Sequence, residues 1–183
     1  RERLRLWVET VGAAPGDFPD ERIEALHHAK NARLGERIAA GLCLLRPRIA
    51  RLIGEARTAG LRLAVATTTS RVNIQALIRA TFGREAEAVF DTLVTGEDVT
   101  AKKPHPEAYL TVLERLRLDP ARCLVLEDTH IGLTAATGAG LTTVGAPSFY
   151  SAGEDFAAAT AVLPDLGDVG LADLARIAAA ARA

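Results

Sequence analysis

Glu127 and Asp128 are adjacent carboxylates in the tetrad Leu126-Glu127-Asp128-Thr129, directly after Arg122-Cys123-Leu124-Val125. That apolar run has the length and β-branched content of a buried strand. The small-residue stretch Leu133-Thr134-Ala135-Ala136-Thr137-Gly138 follows Gly132 and reads as a helix. Two like charges a few ångströms apart raise each other's pKa, so the pair makes chemical sense if a cation sits beside it. Hard oxygen donors favour Mg²⁺ over Zn²⁺. The structural alternative is a helix N-cap supplied by Asp128 or Thr129. The tetrad alone leaves both open.

Two further polar clusters sit where strands should end. Thr67-Thr68-Thr69-Ser70 follows the apolar run Leu61-Arg62-Leu63-Ala64-Val65-Ala66 and leads into a helix, whose N-terminus is a ready anion site. A hydroxyl-rich turn is also an ordinary cap. Ala101-Lys102-Lys103-Pro104-His105-Pro106 lies in a loop before a helix. Pro104 favours an extended Lys103, whose ammonium can then reach across the sheet edge, whereas Lys102 reads as a solvated loop lysine. A hydroxyl turn, a lysine and a carboxylate pair on successive strands suit a phosphoryl group and its Mg²⁺.

The elements that must position these groups alternate. Residues 1–46 read as helical, with Leu4, Trp7, Val8 and Val11 as one apolar stripe. Pro15-Gly16-Asp17 breaks it, and a second helix from Asp20 carries Ile23, Leu26, Ala29, Leu34 and Ile38 before Gly41. From Pro47 onward helices and strands alternate: a helix with Ile49, Leu52, Ile53 and Ala56 ending at Gly60, a strand over 61–66, and a helix over 72–81. Then come a strand over 90–94, a helix over 107–118, the strand ending in Glu127-Asp128, a short strand over 141–144 and a terminal helix over 171–181. Such units imply a parallel α/β sheet with helices on both faces and ligands beyond the carboxyl ends of its strands.

Composition closes off several classes. The 183 residues carry a formal net charge of −1 with both signs interspersed, so no nucleic-acid footprint is present. No apolar run approaches the roughly 18 residues that cross a bilayer. Cys43 and Cys123 match no metal or redox spacing, and Cys123 reads as a small core residue. His27, His28 and His105 show no ligand spacing. A reducing cytoplasm is the expected compartment.

With these residues in place, the chain resembles the haloacid dehalogenase superfamily, aspartate-nucleophile phosphohydrolases with a Rossmann-like core. The similarity is closest to CbbY-type sugar phosphatases of the β-phosphoglucomutase branch. It rests on Leu-Arg-Pro at 45–47, Ala-Val-Ala-Thr-Thr-Thr-Ser at 64–70, Lys-Lys-Pro at 102–104, Glu127-Asp128, and Phe-Tyr then Glu-Asp-Phe within 149–156. The resemblance implies that Thr67 binds the transferring phosphoryl group, that Lys103 neutralises nucleophile and phosphate, and that Glu127 and Asp128 hold Mg²⁺. It also implies a helical cap over 1–46 and a Rossmannoid core over 47–183. In the cap, Lys30 matches a phosphate-reaching lysine beside Asn31, and Arg1 or Arg3 a second phosphate grip. Thr68, Thr69, Ser70 and Arg71 match positions around the substrate's phosphates, a guanidinium there suiting bidentate binding.

One motif departs from the family. No Asp-x-Asp occurs in the 183 residues, yet that motif supplies the nucleophile and the general acid/base from the family's first strand. The expectation is a core lacking that strand, inactive alone and weakly stable. The implied function is a Mg²⁺-dependent phosphatase of small sugar phosphates or bisphosphates, such as a xylulose-1,5-bisphosphate-like compound, acting as a monomer without nucleic-acid or membrane partners. A β-phosphoglucomutase-type transferase shares every residue named. A non-catalytic binding module predicts a glycine-rich phosphate loop, and neither Gly-x-Gly-x-x-Gly nor the Walker pattern is present.

Overall fold

The computed structural model describes Val8, Gly12 and residues 17–46 and 48–182. The expectations for Leu4, Trp7, Val11, Arg1, Arg3 and Pro47 lie outside the described residues. The chain forms two compact units, Arg1–Leu44 and Leu45–Ala183.

In the first unit, helix α1 spans Asp20–Ala39. Asp20 and Glu21 in its first turn and Arg37 in its last complement the helix dipole. Only Ile23 and Ile38 of the five expected apolar positions are buried, and Leu26 is 40% exposed. Gly41, at φ +68°, follows the helix end in a conformation that favours glycine.

The second unit runs α2 (Ile49–Thr58), β1 (Ala64–Ala66), α3 (Arg71–Phe82), β2 (Thr92–Val94), α4 (Glu107–Leu116), β3 (Leu124–Glu127), α5 (His130–Gly138), β4 (Thr142–Gly145), β5 (Ala161–Val162) and α6 (Leu171–Ala180). Every strand pairing is parallel. β1 pairs with β2 through Val65 opposite Leu93, and β3 with β4 through Val125 opposite Thr143. Among the described residues the ladders form two groups, β1-β2 and β3-β4-β5. Helix α4 packs on β1, β2 and α5. Its buried face brings Tyr109 and Leu113 against Ala135, Ala136, Ala139 and Leu141, with Ala66 of β1 and Val125 of β3 on the same cluster. Leu133 is fully buried, worth about 1.5–3 kcal/mol of transfer free energy.

The strand expected over 61–66 is shorter for a local reason. The Asp91 carboxylate accepts from the Leu63 amide at 2.8 Å and from Arg62 Nε at 2.8 Å, taking the donor that a longer ladder would use. Leu61, whose amide donates to Ala56 O at 2.9 Å, is half exposed. Strand β5 was missed because it is two residues long. Cys123 sits before β3, partly buried and packed against the core cluster, its thiol directed at the Asp119 carbonyl at 3.3 Å.

Asp98 ties β2, α3 and α4 together. Its carboxylate accepts from the Thr95 amide at 2.8 Å, the Thr95 hydroxyl at 2.6 Å, Arg71 at 2.5 Å and Arg115 at 2.7 Å. Burial alone would raise its pKa, but Arg115, Thr95 and the Arg71 charge outweigh that and hold it well below the usual carboxylate range. The folded state therefore binds this proton more weakly than the unfolded chain. The stabilisation is complete above about pH 4, the ordinary carboxyl pKa, and is lost progressively as the pH falls below it. Asp98→Asn should lower the melting temperature at pH 7 and flatten its decline between pH 5 and pH 3, relative to wild type, in melts across about that range. An unchanged acid limb would contradict this role.

Candidate functional site

The carboxyl end of β1 carries the hydroxyl turn. Thr67 N donates to Val94 O at 2.9 Å, extending the ladder by one residue before the chain bends. The Thr67 hydroxyl oxygen accepts from Thr69 N at 3.1 Å, which leaves its own proton to donate. Gly96 N donates to Thr69 O at 3.0 Å, and a Cβ on Gly96 would lie 2.6 Å from Thr68 O. Only glycine lets the two loops approach this closely. Ser70 occupies the N-cap position of α3 without a side-chain cap bond. The amide of Arg71 donates to Glu97 at 3.0 and 3.3 Å, so one donor of the expected anion site is already engaged by a carboxylate. The Arg71 guanidinium lies on Asp98.

Lys103 turns inward from its loop, with a side chain only 12% exposed. Its ammonium donates to Ala66 O at 3.0 Å, to the Tyr109 hydroxyl at 3.0 Å and to Glu127 Oε1 at 2.5 Å. A buried ammonium needs such partners. It also stands 4.6 Å from the centre of the Tyr109 ring, within cation–π range. Lys103 thus joins the end of β1, immediately before Thr67, to the end of β3. The Lys103–Pro104 peptide is cis. Lys102 differs from the expected solvated lysine: its ammonium donates to Gly96 O, and to Val99 O at 3.2 Å, pinning the loop that carries Lys103.

Tyr109 is the residue that the sequence reading missed. Its hydroxyl donates to Glu127 Oε1 while accepting from Lys103. Burial first, then the Glu127 charge, pushes its pKa far up, so it stays a donor. The available signal was a phenol on the buried face of α4, four residues before Leu113, where its hydroxyl requires a partner.

Glu127 and Asp128 have different surroundings. Glu127 Oε1 is held by Lys103 and Tyr109, and its other oxygen lies where a Cβ on Gly132 would be, at 1.9 Å. Gly132 is therefore required for the carboxylate to sit there. Asp128 is raised in pKa by burial and then by the Glu127 charge, against weaker pulls from its own amide, Arg46 and Lys103. Thr129, not Asp128, caps α5: its hydroxyl oxygen accepts from Gly132 N at 3.2 Å.

These donors fit Mg²⁺. Both are hard carboxylate oxygens, and Asp128 is an acid that a cation would relieve. Among the described residues no group of three or more His, Cys, Asp or Glu gathers into one candidate metal site. Lys30 lies exposed on α1, and the Asn31 amide nitrogen meets His27 Nε2 at 3.1 Å. Among the described residues no helix is long and apolar enough to cross a membrane.

Known proteins share this chain's sequence and fold. The haloacid dehalogenase-like hydrolase family matches residues 2–140. Protein CbbY of Rhodobacter capsulatus is 46% identical over 166 residues, which is 91% of this chain and 72% of that protein. The crystal structure of CbbY from Rhodobacter sphaeroides in complex with phosphate superposes with a TM-score of 0.78 at 45% identity, over 89% of this chain and 71% of that one. A mutant of the same enzyme, in complex with xylulose-1,5-bisphosphate, matches with the same score and identity over 88% and 70%. The chain belongs to the haloacid dehalogenase-like hydrolases.

Proposed function

We propose that the protein is a Mg²⁺-dependent phosphatase of small sugar phosphates or bisphosphates, acting in the cytoplasm as a monomer. The observation that carries this reading is the convergence of Thr67, Lys103 and the Glu127-Asp128 pair at the ends of β1 and β3. The similarity to a CbbY enzyme bound to xylulose-1,5-bisphosphate supports a sugar bisphosphate of that kind.

In this reading the Thr67 hydroxyl donates to the transferring phosphoryl group and Lys103 offsets the negative charge that grows on it. Tyr109 holds Lys103 and Glu127 in register, and Asp128 would hold the metal, with Glu127 contributing directly or through a water. Mg²⁺ would neutralise phosphoryl oxygens and orient them for in-line attack. By the family resemblance the nucleophile is an aspartate carboxylate, to which the phosphoryl group passes as its bond to the sugar oxygen breaks, that oxygen taking its proton from the general acid of the same motif. Water then cleaves the aspartyl-phosphate. Thr68, Thr69, Ser70 and Arg71 border the phosphoryl site.

A panel of sugar mono- and bisphosphates presented to the full-length protein with Mg²⁺ tests this reading. Phosphate release concentrated on one or a few sugar phosphates is expected. No release from any of them, with a folded protein, would overturn it.

A further inference from the structure

The segment after β4 encloses the turn that carries Asp128. Ala146 N donates to Glu127 O at 2.6 Å, one residue before Asp128. The Ser151 hydroxyl donates to the Asp128 carbonyl. The Glu154 carboxylate accepts from the His130 amide at 2.6 Å, and the Asp155 carbonyl lies 2.7 Å from His130 Nδ1. Phe156, itself buried, closes the far end: a Cβ on Gly145 would meet its ring at 2.6 Å. The backbone on both sides of Asp128 is therefore gripped by one stretch of ten residues, 146–155.

Ser151 is the centre of that grip. It is 2% exposed, although it follows Phe149 and Tyr150, which are 91% and 93% exposed. Its hydroxyl oxygen accepts from Ser148 N at 2.9 Å and lies 3.0 Å from the Ser148 hydroxyl and 3.5 Å from Ser148 O, and the Asp128 carbonyl is the nearest acceptor for its proton. The hydroxyl couples the 148–151 turn to the backbone of Asp128, a bond that alanine could not make.

We infer that Ser151 is a positioning residue that fixes the peptide of Asp128 and so aims its carboxylate at the cation. The inference rests on the reading of Asp128 as a Mg²⁺ ligand. Partners one shell removed from a metal typically change its affinity by about 10- to 100-fold. A serine that merely filled space would lower the melting temperature and the folded fraction, leaving the Mg²⁺ constant of the folded protein where it was.

Calorimetric titration of the full-length protein with Mg²⁺ alone, without substrate, separates these cases. Ser151→Ala should weaken Mg²⁺ binding about tenfold. The KM for substrate at saturating Mg²⁺ should not change. Exchanging both Phe149 and Tyr150 for serine should leave the Mg²⁺ constant unaltered, since their side chains point away from the grip. If Ser151→Ala does not fold, Ser151→Cys fills the same space with a poor donor and carries the same expectation. Binding by wild type that Asp128→Asn abolishes, with Ser151 variants matching wild type, overturns the inference and spares the Asp128 assignment. Binding of equal strength in Asp128→Asn removes the assignment, and the inference with it.

Discussion

Lys103→Ala in the full-length protein should lower turnover by about 100- to 1,000-fold, the loss typical when one fixed charge or donor is removed from a site where negative charge develops. Its ammonium is the only lysine or arginine charge with a direct bond to Glu127 among the described residues, and it bridges the ends of β1 and β3. Removing it also leaves Glu127 as a buried carboxylate without its ion-pair partner, a loss of about 3–5 kcal/mol in comparable pairs. A lower melting temperature should therefore accompany the kinetic loss. Lys103→Arg should not restore the rate, because a planar guanidinium cannot reach Ala66 O, Tyr109 and Glu127 from one point as an ammonium does. Single-turnover kinetics on the folded fraction check this, and a rate within tenfold of wild type would remove Lys103 from the phosphoryl site.

Asp128→Asn should abolish Mg²⁺-dependent turnover while leaving the fold intact. Stability and activity should move in opposite directions. Burial and the Glu127 charge raise the Asp128 pKa, so at neutral pH its ionised form works against the metal-free fold. The isosteric amide removes that charge, and the metal-free variant should melt at a higher temperature than wild type at pH 7. Melting curves without metal, paired with rates across a Mg²⁺ series, read both effects. Unchanged Mg²⁺ dependence in Asp128→Asn would remove Asp128 from the metal site.

What the sequence disclosed about this site follows from where the information lies. Thr67, Lys103, Glu127 and Asp128 each end an apolar run or precede a helix, so chain order and strand direction place them at the carboxyl ends of parallel strands. The groups that hold them were not legible, because their roles depend on packing between distant segments. Tyr109 lies on an amphipathic face that reads as core until the Glu127 carboxylate arrives from β3. Ser151, Glu97 and Lys102 lie in loops whose composition looks solvated, yet each bonds backbone or carries an amide of another loop. Asp98 gathers Arg71 and Arg115 from helices on either side of it in sequence. The same holds for Asp91, which delays the start of β1 with a side chain that no periodicity reveals.

Mg²⁺-assisted phosphoryl transfer at the Thr67, Lys103, Glu127 and Asp128 site is tested most directly by metal removal. Full-length protein, stripped with a chelator and passed into metal-free buffer, is assayed for phosphate release from its preferred sugar phosphate before and after Mg²⁺ is restored. Release should fall to background in the stripped protein and return in full with Mg²⁺, and Asp128→Asn should fail to recover. Undiminished release from the stripped protein would contradict a role for Mg²⁺ at the Glu127-Asp128 pair.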